Sequence, residues 1–279
     1  MMQSEEQRER QQELDRKLKE NLGRIRRKLF VLSNKGGVGK SFVATSLALI
    51  AARRGLQTGL LDADIHGPSV AHMLGFAGMP LGVTQDNVIE PIPVRENLVA
   101  VSTASLLKSQ DDSVIWRGPL KMGLLKQFLA EVRWGELDLL IVDSPPGTGD
   151  EPLSIAQLIP EMCGALVVTS PQDVALLDAR KCISFLNQLK IPTLGILENL
   201  SGMRCPHCGK PIDVFKKGGG KQAALDLGVP FLGAIPIDPE IVRASDDGKP
   251  YVLEHPDSEA AKVLEAIIEE VEKLQPTKD

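Results

Sequence analysis

The chain has 279 residues, 43% of them hydrophobic, and a formal net charge of −5. That length suits one large domain, or one domain with attachments, with a substantial buried core. The charge implies no general attraction to nucleic acid or anionic membrane, and no segment has the unbroken apolar length of a membrane span.

The start, MMQSEEQRER, is too charged for a signal peptide, and four cysteines with two in one C-x-x-C do not make a disulfide scaffold. A cytoplasmic location is therefore expected. Residues 1–28 read as a charged helical leader. Leu14, Leu18, Leu22 and Ile25 share one helical face, so the leader is either a solvated, partly disordered segment or a helix packed on the body or on a second subunit. Residues 29–279 read as one domain. From Lys28 onward, apolar runs at 29–32, 58–62, 99–102, 137–142, 165–169, 193–197 and 231–235 alternate with helical stretches. Those stretches fall at 39–54 and near 120–133, 173–189, 219–227 and 258–274. The alternation predicts an α/β fold, doubly wound, with a mostly parallel sheet and helices on both faces.

The first strand runs into Ser33-Asn34-Lys35-Gly36-Gly37-Val38-Gly39-Lys40-Ser41-Phe42, and a helix follows. Strand, glycine-rich loop and helix together form the context of a phosphate-binding loop. Gly36, Gly37 and Gly39 let backbone N–H groups turn inward around a polyphosphate, and the helix points its partly positive end at the same anion. Lys40 is expected to reach the β- and γ-phosphates, and the Ser41 hydroxyl to ligate Mg²⁺. Asn34 stands where the commonest form of the loop has glycine, and Lys35 follows as an extra lysine. This K-G-G-V-G-K-S resembles the deviant P-loop of the MinD/ParA/nitrogenase-iron-protein class, which implies that Lys35 reaches a partner subunit's nucleotide.

Two acidic sites follow strands, where a doubly wound sheet gathers its ligands. Asp143, in D-S-P-P-G-T-G-D, is expected to hold Mg²⁺ through its water shell, and Gly147 to bring a backbone N–H near the γ-phosphate. In D-A-D-I-H-G-P-S, Asp64 is the candidate for orienting or deprotonating the attacking water, with Asp62 nearer the metal. Helix capping or turn formation is the plainer reading of Asp62 and Asp64. His66 is read as a surface loop residue.

Cys205-Pro206-His207-Cys208-Gly209 places two thiolates at a spacing that can serve one metal centre. A tetrahedral zinc or a four-iron cluster takes four such ligands, and Cys163 and Cys182 read as buried and inert. The missing pair is most simply supplied by a second copy of the chain across a two-fold axis. A bridging [4Fe–4S] cluster is favoured; zinc or a metal-free redox dithiol is the alternative.

These motifs, with T-S-P-Q-D-V-A-L, E-N-L-S-G-M, F-K-K-G-G-G and I-P-I-D-P-E-I in this order between residue 28 and Pro250, closely resemble the Mrp/Nbp35 family of iron–sulfur-carrying P-loop ATPases. The resemblance implies that ATP is bound, with Asn199, Pro236 and Asp238 near the adenine. It also implies a homodimer that hydrolyses ATP slowly and transfers a cluster to recipient apoproteins. Asn34, Ser144 and Leu200 depart from the common pattern without removing a group the chemistry needs. The alternative is a MinD/ParA-type dimerisation switch in positioning or partition, with zinc or a redox dithiol at the C-x-x-C. The acidic end of the chain, DSEAAKVLEAIIEEVEKLQPTKD, disfavours its membrane-binding form.

Overall fold

The computed structural model of the chain describes residues 2–85, 88–106, 118–205, 207–212, 214 and 217–275. Of the motif residues above, Pro206, Phe215 and Lys216 lie outside that set. Eight strands form one sheet: β1 (Lys28–Leu32), β2 (Thr58–Asp62), β3 (Ile92–Arg95), β4 (Leu98–Ser102), β5 (Leu139–Asp143), β6 (Gly164–Thr169), β7 (Thr193–Glu198) and β8 (Phe231–Ala234). Their spatial order is β8-β7-β6-β1-β5-β2-β4-β3, parallel throughout except for the antiparallel edge pair β3–β4. The doubly wound α/β expectation is met.

Alternation of side chains decides how the sheet is covered. In β1, Leu29 and Val31 enter the core on one face, and Phe30 and Leu32 enter the core on the other. β5 divides in the same way, with Leu139 and Ile141 opposed to Leu140 and Val142. Apolar side chains on both faces require two layers of helices. The described helices of eight or more residues are α1 (Met2–Gly23), α2 (Lys40–Arg53), α3 (Gly118–Glu131), α4 (Asp150–Leu158), α5 (Asp173–Leu189), α6 (Gly219–Leu227), α7 (Pro239–Asp246) and α8 (Glu259–Lys273). α2 is buried on nearly every side, as its apolar sequence demands. α8 is amphipathic and turns Leu264, Ile267, Ile268 and Val271 into the core around α2.

The leader is helical, and its C-terminal end packs on the body. Leu22 and Ile25 are buried, Leu18 lies against the same core, and residues 7–13 are exposed. The Asn21 amide donates to the carbonyls of Leu129, Ala130 and Val132 at 3.2, 2.9 and 3.0 Å, satisfying groups that the end of α3 leaves open. Three features lie outside the elements predicted from the sequence: the edge strand β3, which carries Pro93, and the short helices α4 and α7. α7 begins as a proline-led helix should, with Asp238 accepting from the Glu240 N–H at 2.9 Å and Pro239 in its first turn.

Candidate functional site

β1 lies between β6 and β5, where successive connections leave for opposite sides of the sheet. The crevice at the carboxyl ends of such strands is where open α/β sheets bind ligands. Here it is a cavity of about 240 Å³ lined by Lys35, Gly36, Gly37, Val38, Gly39, Lys40, Ser41 and Phe42 of the loop, with Asp64, Gly67, Ser69 and Pro146 opposite. Gly39 holds φ at 81°, and a Cβ there would run into the Asn199 amide. That amide donates to the Val38 carbonyl at 2.9 Å, so Asn199 braces the loop from behind.

At the floor, Lys40 Nζ donates to Asp143 Oδ1 at 2.6 Å and lies 3.5 Å from the Ser41 hydroxyl. Asp143 is fully buried, and its second oxygen, Oδ2, has no hydrogen-bond partner among the described residues. A buried carboxylate oxygen left open, with the Ser41 hydroxyl in the same cavity, is an oxygen donor set that fits hydrated Mg²⁺. Asp62 is the register neighbour of Asp143 across β2 and β5. Both of its oxygens are already engaged, by the Ser102 hydroxyl at 2.9 Å and by the N–H groups of Asp64 and Val70 at 3.2 and 3.3 Å. Burial, reinforced by the charge of Asp143, pushes Asp62 up to about 8. Burial also raises Asp143, against the pull of Lys40 and Ser41.

Asp64 lines the cavity and accepts from the N–H groups of His66 and Gly67 at 3.3 and 3.2 Å. Lys35 is exposed at the cavity rim. The Gly147 N–H, expected near the γ-phosphate, is donated to the Ser33 carbonyl at 2.8 Å, so that role requires its loop to move. Pro236 and Asp238 line a different hollow, of about 410 Å³, together with Arg204, Cys205, Gly209 and Tyr251. The Asp238 carboxylate there caps α7 and accepts from the Tyr251 hydroxyl at 2.6 Å. Phe42 and Tyr251 meet edge to face at 6.3 Å, which puts the two hollows side by side.

The cysteine pair sits on a small hairpin, Met203–Arg204 paired with Pro211–Ile212. The Cys205 N–H donates to the Lys210 carbonyl at 2.9 Å, and the Gly209 N–H to the Cys205 carbonyl at 2.8 Å, closing a tight knuckle. Cys208 is exposed and Cys205 half-buried. The backbone N–H groups of Cys208 and His207, and then the Cys208 side chain, hold the Cys205 thiol below its ordinary range, which favours the ligating thiolate. Burial does the opposite elsewhere, raising Cys163 and pushing Cys182 up to about 12. Among the described residues, no group of three or more His, Cys, Asp or Glu is placed to hold a metal ion.

Two clusters lie outside the sequence expectations. Glu198, fully buried at the end of β7, accepts from the Ser201 hydroxyl and the Gly220 N–H, both at 2.5 Å, and from the Gly218 N–H at 3.1 Å. An acid directly after an apolar strand was its available signal, the same one that marked Asp143. Lys121 of α3 is also buried and bonded to Glu151 and His66. Their separation along the chain leaves no local pattern.

Comparison with known proteins gives a consistent picture. The profile of the family described as ParA, NUBPL iron-transfer P-loop NTPase, matches residues 24–272. An iron–sulfur cluster carrier protein of Methanocaldococcus jannaschii is 46% identical, covering 92% of this chain and 89% of its own length. The cytosolic Fe–S cluster assembly factor NUBP2 of Bos taurus is 41% identical, covering 90% of this chain and 94% of its own. Among solved structures, a nucleotide-binding protein of Archaeoglobus fulgidus in complex with ADP superposes with a TM-score of 0.74 at 36% identity, over 85% of this chain and 92% of that one. The cell division ATPase MinD of Pyrococcus furiosus gives a TM-score of 0.62 at 23% identity, over 89% of this chain and 99% of that one, and so shares the fold.

Proposed function

The chain belongs to the NUBPL iron-transfer P-loop NTPase family, and on that premise we propose that it is an iron–sulfur cluster carrier driven by ATP. It binds and slowly hydrolyses ATP, holds a [4Fe–4S] cluster as cargo between two copies of itself, and passes that cargo to recipient apoproteins in the cytoplasm. The observation that carries this reading is the contrast among the cysteines. Cys208 is exposed and half-buried Cys205 is biased towards thiolate, while desolvation raises the thiols of half-buried Cys163 and buried Cys182. One chain therefore brings two ligands to a centre that takes four, and a symmetric partner brings the rest.

At the other site, the chain's own groups divide the work of nucleotide binding. The loop from Lys35 to Phe42 cradles the phosphates through its backbone, and Lys40 gives up Asp143 to take the β- and γ-oxygens. Ser41 and Asp143 hold Mg²⁺, which supplies charge neutralisation at the phosphates. Asp64 orients the attacking water, and Lys35 engages the partner's nucleotide. Asp62, engaged by three protein donors, shapes the Asp64 loop. Asn199, Pro236 and Asp238 complete the adenine end by bracing the loop and walling the neighbouring hollow. The membrane-switch alternative loses ground because the apolar face of α8 is already buried in the core.

The test is anaerobic reconstitution of the Cys205→Ser, Cys208→Ser double variant, followed by iron and sulfide analysis. It should lose the brown cluster absorbance while keeping its circular dichroism and nucleotide binding, since both side chains stand outside the core. Full cluster loading in the variant would place the ligands elsewhere.

A further inference from the structure

We propose that Lys121 is a positioning residue that ties together the two loops facing the phosphate loop, so that Asp64 and Gly147 change position as one unit. The proposal rests on the reading of the cavity as a site of ATP hydrolysis. Lys121 lies in α3 and is 6% exposed. An ammonium group so far from water is retained only against a counter-charge and further hydrogen-bond partners. Both come from outside its own helix. Glu151 Oε1, in the first turn of α4, accepts from Lys121 Nζ at 2.5 Å. His66 Nε2, in the loop after β2, contacts the same ammonium and lies 3.4 Å from the same Glu151 oxygen.

Each partner leads back to the cavity. The His66 backbone N–H donates to the Asp64 carboxylate at 3.3 Å, so a shift of the loop at His66 moves the group assigned to the attacking water. Glu151 stands just past the loop that follows Asp143, which contains Pro146 on the cavity wall and Gly147 bonded to Ser33. For Gly147 to offer its N–H to a phosphate, the bond to Ser33 must open and the loop must shift. Because Glu151 and His66 share one buried cation, that shift is passed across α3 to Asp64.

The experiment is hydrogen–deuterium exchange on the full chain, nucleotide-free and with Mg-ATP, for wild type, Lys121→Met, Glu151→Gln, the double variant and Lys121→Arg, with ATPase kinetics on each. Without nucleotide, Lys121→Met should speed exchange in both 62–70 and 144–151 and leave the hairpin at 203–212 unchanged. Its kcat should fall about tenfold while KM for ATP stays within about threefold, since misplacement of a reacting group acts on the chemical step. The double variant should be no slower than either single one, and Lys121→Arg should keep the joint response. If Lys121→Met does not fold, Glu151→Gln carries the same expectations, because Glu151 is partly exposed. Loosening of α3 alone, or effects on kcat that multiply in the double variant, would overturn the proposal. A wild-type chain that shows the coupled exchange but no hydrolysis would leave the tie standing and sink the ATPase reading instead.

Discussion

Asp62 and Asp143 stand side by side at the ends of β2 and β5, both fully buried, with Lys40 as the nearby cation. Burial and mutual repulsion hold Asp62 protonated to about pH 8 in the folded chain, whereas an unfolded aspartate ionises at about 4. The folded state thus binds more protons than the unfolded one across that window, and stability must decline as pH rises through it. For nucleotide-free protein in chelator, Asp62→Asn should flatten this decline. Urea midpoints at pH 5 and pH 8 check it, and an unchanged difference between them would show that Asp62 is not the source. The aspartates and Lys40 were legible in the sequence because the loop, the strand ends and the acids occur in a fixed order. Lys121 was not, since its partners are 55 and 30 residues away and only folding brings them together.

At the scale of elements, the stretch after β7 is anchored on several sides at once. Asn199 grips the phosphate loop through Val38, while its neighbour Glu198 grips Ser201 on one side of the cysteine hairpin and Gly218 and Gly220 on the other. The Gly218 and Gly220 N–H groups belong to the start of α6, where a carboxylate also meets the positive end of the helix. Glu198→Ala should therefore cost about 3 kcal/mol by leaving these donors unanswered, and should speed hydrogen exchange at 203–212. A thermal melt matching wild type would show that water replaces the carboxylate without loss. The central strands of this sheet were readable from their apolar runs, because a strand covered on both faces is apolar almost throughout, with its polar residues at the ends. β3 escaped notice because an edge strand exposes alternate residues and tolerates Pro93, so its pattern is that of a loop.

On the proposed function, the whole molecule is asymmetric in what it offers: the phosphate loop lies within one chain, whereas the hairpin supplies two of the four thiolates that the cluster takes. The proposed two-fold axis would pair two hairpins in one operation, and the same dimer is the one in which each Lys35 is proposed to engage the other chain's nucleotide. Symmetry makes this testable without a structure of the assembly. Wild-type chain mixed in equal amount with the Cys205→Ser, Cys208→Ser variant, unfolded together and refolded before reconstitution, should form wild-type pairs in about one quarter of dimers. If four thiolates from two chains are required, cluster content per dimer should fall to that quarter. A centre held within one chain would instead give half the wild-type content, in linear proportion to the wild-type chain added. The curvature of the titration therefore reports how many chains each cluster needs, whichever recipient takes it afterwards.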